Sequence, residues 1–232
     1  LRVNWRSLKL LHPCGFVIIW IDMLAIFLYI CIYNYCIYNY MDVQPLEGEF
    51  TMTSETTLAR WNEQRDAVVE RMLAGGGKPG LAIPEMVAGM SGLEMLQAML
   101  AGELPFPHIA ETLDFSLIEV EAGKAVFQGT PQLKHYNPLG TVHGGWYATL
   151  LDSALGCAVQ SMLPAGRTYT TAELGVNIVR AAASNTGPLR AIGSVIHCGR
   201  QLATAEARIV GPDGKLYAHA TTTCLVFDVA QR

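Results

Sequence analysis

The residues Asn137-Pro138-Leu139-Gly140-Thr141-Val142-His143-Gly144-Gly145 make a turn that ends in two glycines. They run directly into Trp146-Tyr147-Ala148-Thr149-Leu150-Leu151-Asp152, whose apolar content predicts the start of a buried helix. Glycines at a helix start let a substrate approach backbone N–H groups that lack an intrahelical partner and carry the positive end of the helix dipole. Such donors, at Gly144 with Gly145 beside it, suit an oxygen that gains negative charge in a transition state. Asp152, about two turns inside the predicted helix, can supply a nucleophile or a base near the same place. The chemistry expected from this pattern is acyl transfer, with a thioester as substrate.

The elements that must position these groups are legible in the surrounding pattern. The helix, expected over 144–161, is apolar nearly all round and rich in Ala and Gly, which marks it as buried. Before it, 113–120 and 124–130 read as strands flanking the hairpin signal Glu121-Ala122-Gly123. After Leu163-Pro164-Ala165-Gly166 come strand-like runs at 168–180, 188–198, 201–210 and 215–227, separated by turn formers such as Gly211-Pro212-Asp213-Gly214. Ala172, Leu174, Val176 and Ile178 share one parity, as do Ala203, Ala205, Ala207 and Ile209. Short links imply an antiparallel sheet. One such sheet curled around one buried helix is an α+β architecture.

Upstream, a helix is expected over 55–73 with Ser54 as N-cap, and a second over 91–100 with Ser91 as cap and Glu94 in the capping-box position. Ala74-Gly75-Gly76-Gly77-Lys78-Pro79-Gly80 reads as a linker between them. Both helices are expected to pack on the domain rather than to form a lid. The organisation is therefore an extension at 1–40, a helical region at 41–108, and one α+β domain at 109–232.

The 232 residues are 51% hydrophobic, enough for one good core. A net charge of -4 and the lack of a Lys/Arg run interleaved with aromatics argue against nucleic acid as a partner. The six cysteines show no CxxC and no regular spacing, as in a chain from a reducing compartment, and the cytoplasm is expected. The histidines have no metal-ligand spacing, and no phosphate-binding glycine fingerprint is present, so no metal or cofactor is expected. Residues 16–33 form an apolar run interrupted by Asp22, close to the ~20 residues of a membrane span. Two readings stand for 1–40. One is a non-native extension, favoured by the low-complexity stretch at 32–40 and by the ordinary soluble sequence after Met41. The other is an N-terminal membrane anchor preceded by Arg2, Arg6 and Lys9. On the first reading these residues add nothing to fold or catalysis.

The motif Asn-Pro-x-Gly-x-x-His-Gly-Gly, followed without a gap by Leu-x-Asp-x-Ala-x-Gly through Gly156, resembles the hotdog-fold acyl-CoA thioesterases, in the branch typified by phenylacetyl-CoA thioesterases. Tyr169-Thr170-Thr171-Ala172-Glu173-Leu174 is similar to that family's second site strand, and 196–200 to its later strands. The resemblance covers about 109–227. It implies a hotdog fold in which the Gly144 N–H polarises the thioester carbonyl and Asn137 and His143 hold the turn and orient the thioester or water. It further implies that Asp152 is nucleophile or general base and that Thr171 positions water. It implies a site at the interface of a homodimer, often paired into a homotetramer, with the aspartate supplied by the neighbouring subunit. Strand alternation points Thr171 away from the face of Leu174 and Val176, so the resemblance requires a strand start or a bulge there. Arg200 would contact the phosphates of coenzyme A, and Gly145 would lie against the substrate.

Each of these residues has a plainer reading. An aspartate on a helix is usually solvated, but a carboxylate on a helix apolar on every side is costly unless paired or functional. His143 and Asn137 are natural turn residues, Thr171 an ordinary strand residue and Arg200 an ordinary surface residue. Cys157 and Cys198 read as core residues rather than nucleophiles, since nothing basic is expected beside them. Two other functions fit the fold. An acyl-CoA dehydratase or hydratase would place its catalytic His and Asp differently. A non-catalytic acyl-CoA-binding module would be expected to lack Asp152.

Overall fold

In chain order the elements are α1 (Ser54–Ala74), α2 (Gly92–Ala101), α3 (His108–Thr112), β1 (Phe115–Glu121), β2 (Lys124–Gly129), α4 (Gly144–Gln160), β3 (Arg167–Ile178), β4 (Leu189–Cys198), β5 (Leu202–Val210) and β6 (Leu216–Asp228). Single 3-10 turns lie at Pro84–Met86 and Leu133–His135. The computed structural model describes residues 53–229, so the two readings of residues 1–40 lie outside the described residues. No helix among the described residues is long and apolar enough to cross a membrane.

The strands form one antiparallel sheet in the order β1-β2-β4-β5-β6-β3, with α4 packed against it: the hotdog fold. The physical reason is the composition of α4. Leu150, Leu151, Ala154, Leu155, Ala158 and Val159 are wholly buried, and burial of each leucine is worth about 1.5–3 kcal/mol. The sheet receives the helix on small residues. Ala191, Ala203, Ala205 and Ala218 are buried on the facing side, and a Cβ on Gly193 would overlap the Ala154 carbonyl oxygen.

The expected alternation of Ala203, Ala205, Ala207 and Ile209 is present, all four being buried. The set Ala172, Leu174, Val176 and Ile178 needs a correction. The register of β3 on β6 shifts between Thr171 and Glu173, so Ala172 lies at a bulge and is exposed. Thr171 then pairs with Cys224 and Leu174 with Thr222, and these two partners are both buried. The bulge thus turns Thr171 and Leu174 to the same, helix-facing side.

The first helix begins one residue earlier than expected: Thr53, not Ser54, is the N-cap, and its hydroxyl accepts the Thr56 N–H at 3.3 Å. The capping box of Ser91 and Glu94 forms as expected. The glycine-rich stretch is more than a linker. Gly75 and Gly102 lie backbone to backbone, where a Cβ on Gly75 would overlap the Ala101 carbonyl and one on Gly102 that of Met72. By alternation with Gly193, Arg190 points to the sheet face opposite α4, and α1 covers it there. The Trp61 ring stacks over the Arg190 guanidinium at 4.6 Å, and the Arg190 Nε donates to Gln128 Oε1 at 2.9 Å. Burial lowers the Arg190 pKa to about 10. At the other helix, the Gly92 N–H donates to the Leu163 carbonyl at 2.9 Å, just past the C-terminal end of α4. Both helices therefore pack on the domain, and α2 docks at the end of α4 opposite Gly144.

Because a Cβ at position 193 meets backbone that cannot step aside, Gly193→Ala should destabilise the fold by about 1–3 kcal/mol. Urea denaturation of the full chain checks this, with the midpoint falling and the slope unchanged.

Candidate active site

The turn before α4 is held by Asn137. Its Oδ1 accepts the N–H groups of Leu139 (2.9 Å) and Thr141 (3.3 Å), and its Nδ2 donates to Thr141 Oγ1 at 3.0 Å. The backbone closes the same loop, with the Asn137 N–H donating to the Thr141 carbonyl at 2.8 Å. This is an Asx turn. Gly140 takes the left-handed position, with φ 83°. Asn137 is thus engaged in shaping the turn.

His143 is the N-cap of α4, and its Nδ1 accepts the Gly145 N–H at 2.8 Å. Gly145 is glycine for room as well, since a Cβ there would come within 3.0 Å of that nitrogen. The Gly144 N–H, in contrast, has no hydrogen-bond partner among the described residues. Of the two glycine amides, only that of Gly144 is left for a ligand. A Cβ on Gly144 would stand 3.2 Å from the Ile178 side chain, which marks a narrow approach between α4 and the end of β3.

Asp152 is half-buried on the face of α4 turned toward β3, and Thr171 Oγ1 donates to its Oδ1 at 3.0 Å. The bulge in β3 makes this contact. Thr171 therefore bonds the carboxylate directly, leaving Oδ2 for another partner. Asp152 does not lie near Gly144 of the same chain, as the spacing alone suggested. A little over two helical turns separate them, a rise of about 12 Å.

Tyr169 belongs to this cluster, although its spacing gave no functional signal. Its ring lies on α4 one turn beyond Asp152, where Gly156 leaves space that a Cβ would take from the phenol oxygen. Burial pushes the Tyr169 phenol well above its ordinary value, with Cys157 and Asp152 adding to the effect, so it stays protonated. The usable signal was a glycine at the fourth residue after Asp152 facing an aromatic two residues before Thr171. Burial also pushes the Cys157 thiol up to about 12, with Asp152 adding, and raises Cys198 and Cys224. These protonated thiols are poor nucleophiles.

Arg200 is not brought into this cluster. It sits at the exposed β4–β5 turn, where its carbonyl accepts from Arg167, itself paired with Asp228 at 3.0 Å. Among the described residues no group of three or more His, Cys, Asp or Glu is arranged to hold a metal ion.

Residues 139–218, from the turn through the start of β6, match the family model of the thioesterase superfamily. A provisionally assigned esterase of Halobacterium salinarum is 41% identical over 75 residues, which are 32% of this chain and 48% of that protein, so the match spans just under half of that relative. The 1,4-dihydroxy-2-naphthoyl-CoA hydrolase of Listeria monocytogenes is 26% identical over 118 residues, 51% of this chain and 94% of that protein. The crystal structure of a phenylacetic acid degradation-related protein from Ralstonia eutropha superposes with a TM-score of 0.52 at 31% identity, covering 56% of this chain and 97% of the other.

If Gly156 is glycine for the sake of Tyr169, Gly156→Ala should cost about 1–3 kcal/mol of stability. Adding Tyr169→Phe, which removes the overlapping hydroxyl, should recover part of it. A double-mutant cycle in urea checks the coupling.

Proposed function

This chain belongs to the thioesterase superfamily, and we propose that it hydrolyses acyl-coenzyme A thioesters at a site built from two copies of the chain. The observation that carries the two-chain reading is the separation along α4. A carbonyl in contact with both an oxyanion donor and a nucleophile spans about 7 Å. The rise from Gly144 to Asp152 is about 12 Å, longer than that span, which supports a site that draws the two groups from different chains. A two-fold axis perpendicular to β3 at its exposed edge would pair the two edges antiparallel and could bring Gly144 of one protomer toward Asp152 of the other. The edge is long, and Leu139, Ile178 and Val179 beside it are exposed apolar residues that a partner would cover. Further pairing of such dimers into tetramers is compatible with this arrangement.

In this mechanism the Gly144 N–H, backed by the helix dipole, donates to the thioester oxygen as it becomes negative. Asp152 of the partner either attacks the carbonyl carbon, giving an anhydride that water then opens, or takes a proton from an attacking water. In both routes the C–S bond breaks and coenzyme A leaves as thiolate. Thr171 holds one carboxylate oxygen so that the other faces the substrate, and Tyr169 closes the space behind it. Asn137 and His143 act by fixing the turn and the helix start. Thiolate is a good leaving group, so the reaction as proposed uses no metal or redox cofactor. Arg200, at an exposed turn, is proposed to meet the coenzyme A phosphates, where an arginine fork suits phosphate oxygens. The two coenzyme A- and phenylacetate-related relatives make aromatic acyl groups the first to test. The free cysteines among the described residues suit a cytoplasmic setting.

The test is thiol release over a panel of acyl-CoAs including phenylacetyl-CoA. Asp152→Asn should lower kcat about 10²-fold or more in a chain that stays folded by circular dichroism. Wild-type turnover in that variant would remove Asp152 from the chemistry. Gly144→Pro deletes the free N–H at the first helical position, which proline suits, and should cost about 10²–10³ in kcat. Unfolding and refolding the two inactive variants together should restore activity, because a mixed dimer regains one complete site. A mixture that stays inactive, or a fully active monomer in sedimentation equilibrium, overturns the shared site.

A further inference from the structure

Behind the turn that ends at Gly144 lies a buried polar cluster that the proposed chemistry does not use. The His135 side chain is 1% exposed, and its ring stacks on that of Trp146 with centroids 5.9 Å apart. Its Nδ1 accepts the Gln132 N–H at 3.1 Å, so in the neutral ring the proton is on Nε2. Nε2 stands 3.3 Å from Asp114 Oδ2, and Lys134 Nζ reaches the same oxygen at 2.7 Å. These two atoms, Nε2 and Oδ2, are both buried, and neither has a well-aligned hydrogen bond, so the contact between them is one of proximity and charge.

Two connections lead from this cluster to the site. The His135 carbonyl accepts the N–H of His143, the N-cap of α4, at 2.7 Å. The indole N–H of Trp146, in the first turn of α4, donates at 2.9 Å to the carbonyl of Leu113, the neighbour of Asp114. Asp114 is also the one non-glycine among the described residues with positive φ, at 53°. Left-handed backbone at a non-glycine persists only where its surroundings hold it, and such strain collects near functional sites. A core position with no further duty is better filled by an apolar side chain than by a buried imidazole facing a carboxylate.

We propose that His135, held by Asp114, is a positioning residue that sets the direction of the Gly144 N–H by fixing the first turn of α4. The inference rests on the thioesterase reading of the site. His135 touches no substrate in it. The ring locks the 3-10 turn at Leu133–His135 against Asp114 and Trp146, and the carbonyl of that turn then locks the helix cap. A shift of the cap swings the Gly144 N–H off the thioester oxygen without altering the rest of the pocket.

The cluster carries a pH signature. Asp114 and Lys134 are the charged groups that face the ring, while α4 presents Trp146 to it and Gln132 its backbone amide. Burial holds the His135 pKa below its ordinary value, with Asp114 opposing and Lys134 assisting. The unfolded chain then binds the proton more tightly than the folded one. The contribution of neutral His135 to stability is present above about pH 6.5 and is lost as the pH falls through the folded value.

The experiment compares the full chain with His135→Phe, His135→Asn and Asp114→Asn, using phenylacetyl-CoA and, beside it, amide hydrogen exchange over residues 140–150. His135→Phe keeps the stacked ring and loses both nitrogens, and kcat should fall about 10- to 100-fold with KM within about twofold. His135→Asn keeps an acceptor where Nδ1 stands and should recover part of that loss. Asp114→Asn keeps a residue that tolerates the left-handed backbone, and should show the same split between kcat and KM. Exchange at the start of α4 should quicken in His135→Phe, and its loss of stability below about pH 6.5 should be shallower than in the parent chain. Folded variants with parental kcat and parental exchange overturn the proposal, as does a loss confined to KM. If His135→Phe does not fold, Asp114→Asn decides. If the parent chain turns over no acyl-CoA, the thioesterase reading fails, while exchange at the start of α4 still reports on the positioning role.

Discussion

A helix fixes the spacing of everything it carries. On α4, Gly144 and Asp152 are separated by a rise of about 12 Å, and the wholly buried Leu150, Leu151, Ala154 and Leu155 between and beyond them hold the helix in place. Each chain therefore presents a helix-start N–H at one place and a carboxylate at another. The sheet order leaves β3 at an edge beside the carboxylate, and the bulge in β3 turns Thr171 inward onto it. Under the proposed function these are two half-sites along one exposed edge, which association of two chains would complete.

Within each half-site the polar groups divide into those that build and those that remain open. Asn137 spends its side chain on the turn, and His143 spends its Nδ1 on Gly145. Among the described residues, what remains open is the Gly144 N–H and one Asp152 carboxylate oxygen. A donor fixed in this way would need no rearrangement as charge developed on an acceptor beside it, which is why the proposed function rests on it. The side chains conspicuous in the motif are thus the frame, and the group they frame is an amide that any residue but proline would carry.

Much of this was legible in the sequence, because it rests on local pattern. The apolar content of 144–160, the turn formers between strands and the capping box at Ser91 are short-range signals, and each element appears within a few residues of its expected place. The need for a bulge at Thr171 was legible too, since strand parity and the motif disagreed. The parts that were not legible depend on residues distant in sequence. Asp114 meets His135, and Gly156 faces Tyr169, only after the sheet has closed on the helix. Gly75 and Gly77 read as linker because nothing local shows Gly102 lying against them. Asp152 and Gly144 are near in sequence but not in space within one chain, because the helical rise separates them.

The paired glycines at the start of α4 show how one motif can hold two separate requirements. At Gly145 the missing Cβ makes room for the imidazole that caps the helix, and its N–H is consumed in that contact. At Gly144 the missing Cβ keeps open the space beside Ile178, and its N–H has no partner among the described residues. An alanine at 145 would press on the cap, whereas an alanine at 144 would narrow the approach to the donor. The pair is therefore not a doubled oxyanion site. It is a single donor next to the residue that lets its cap form, which explains how a helix end of ordinary backbone can offer one N–H, in one direction, to one atom.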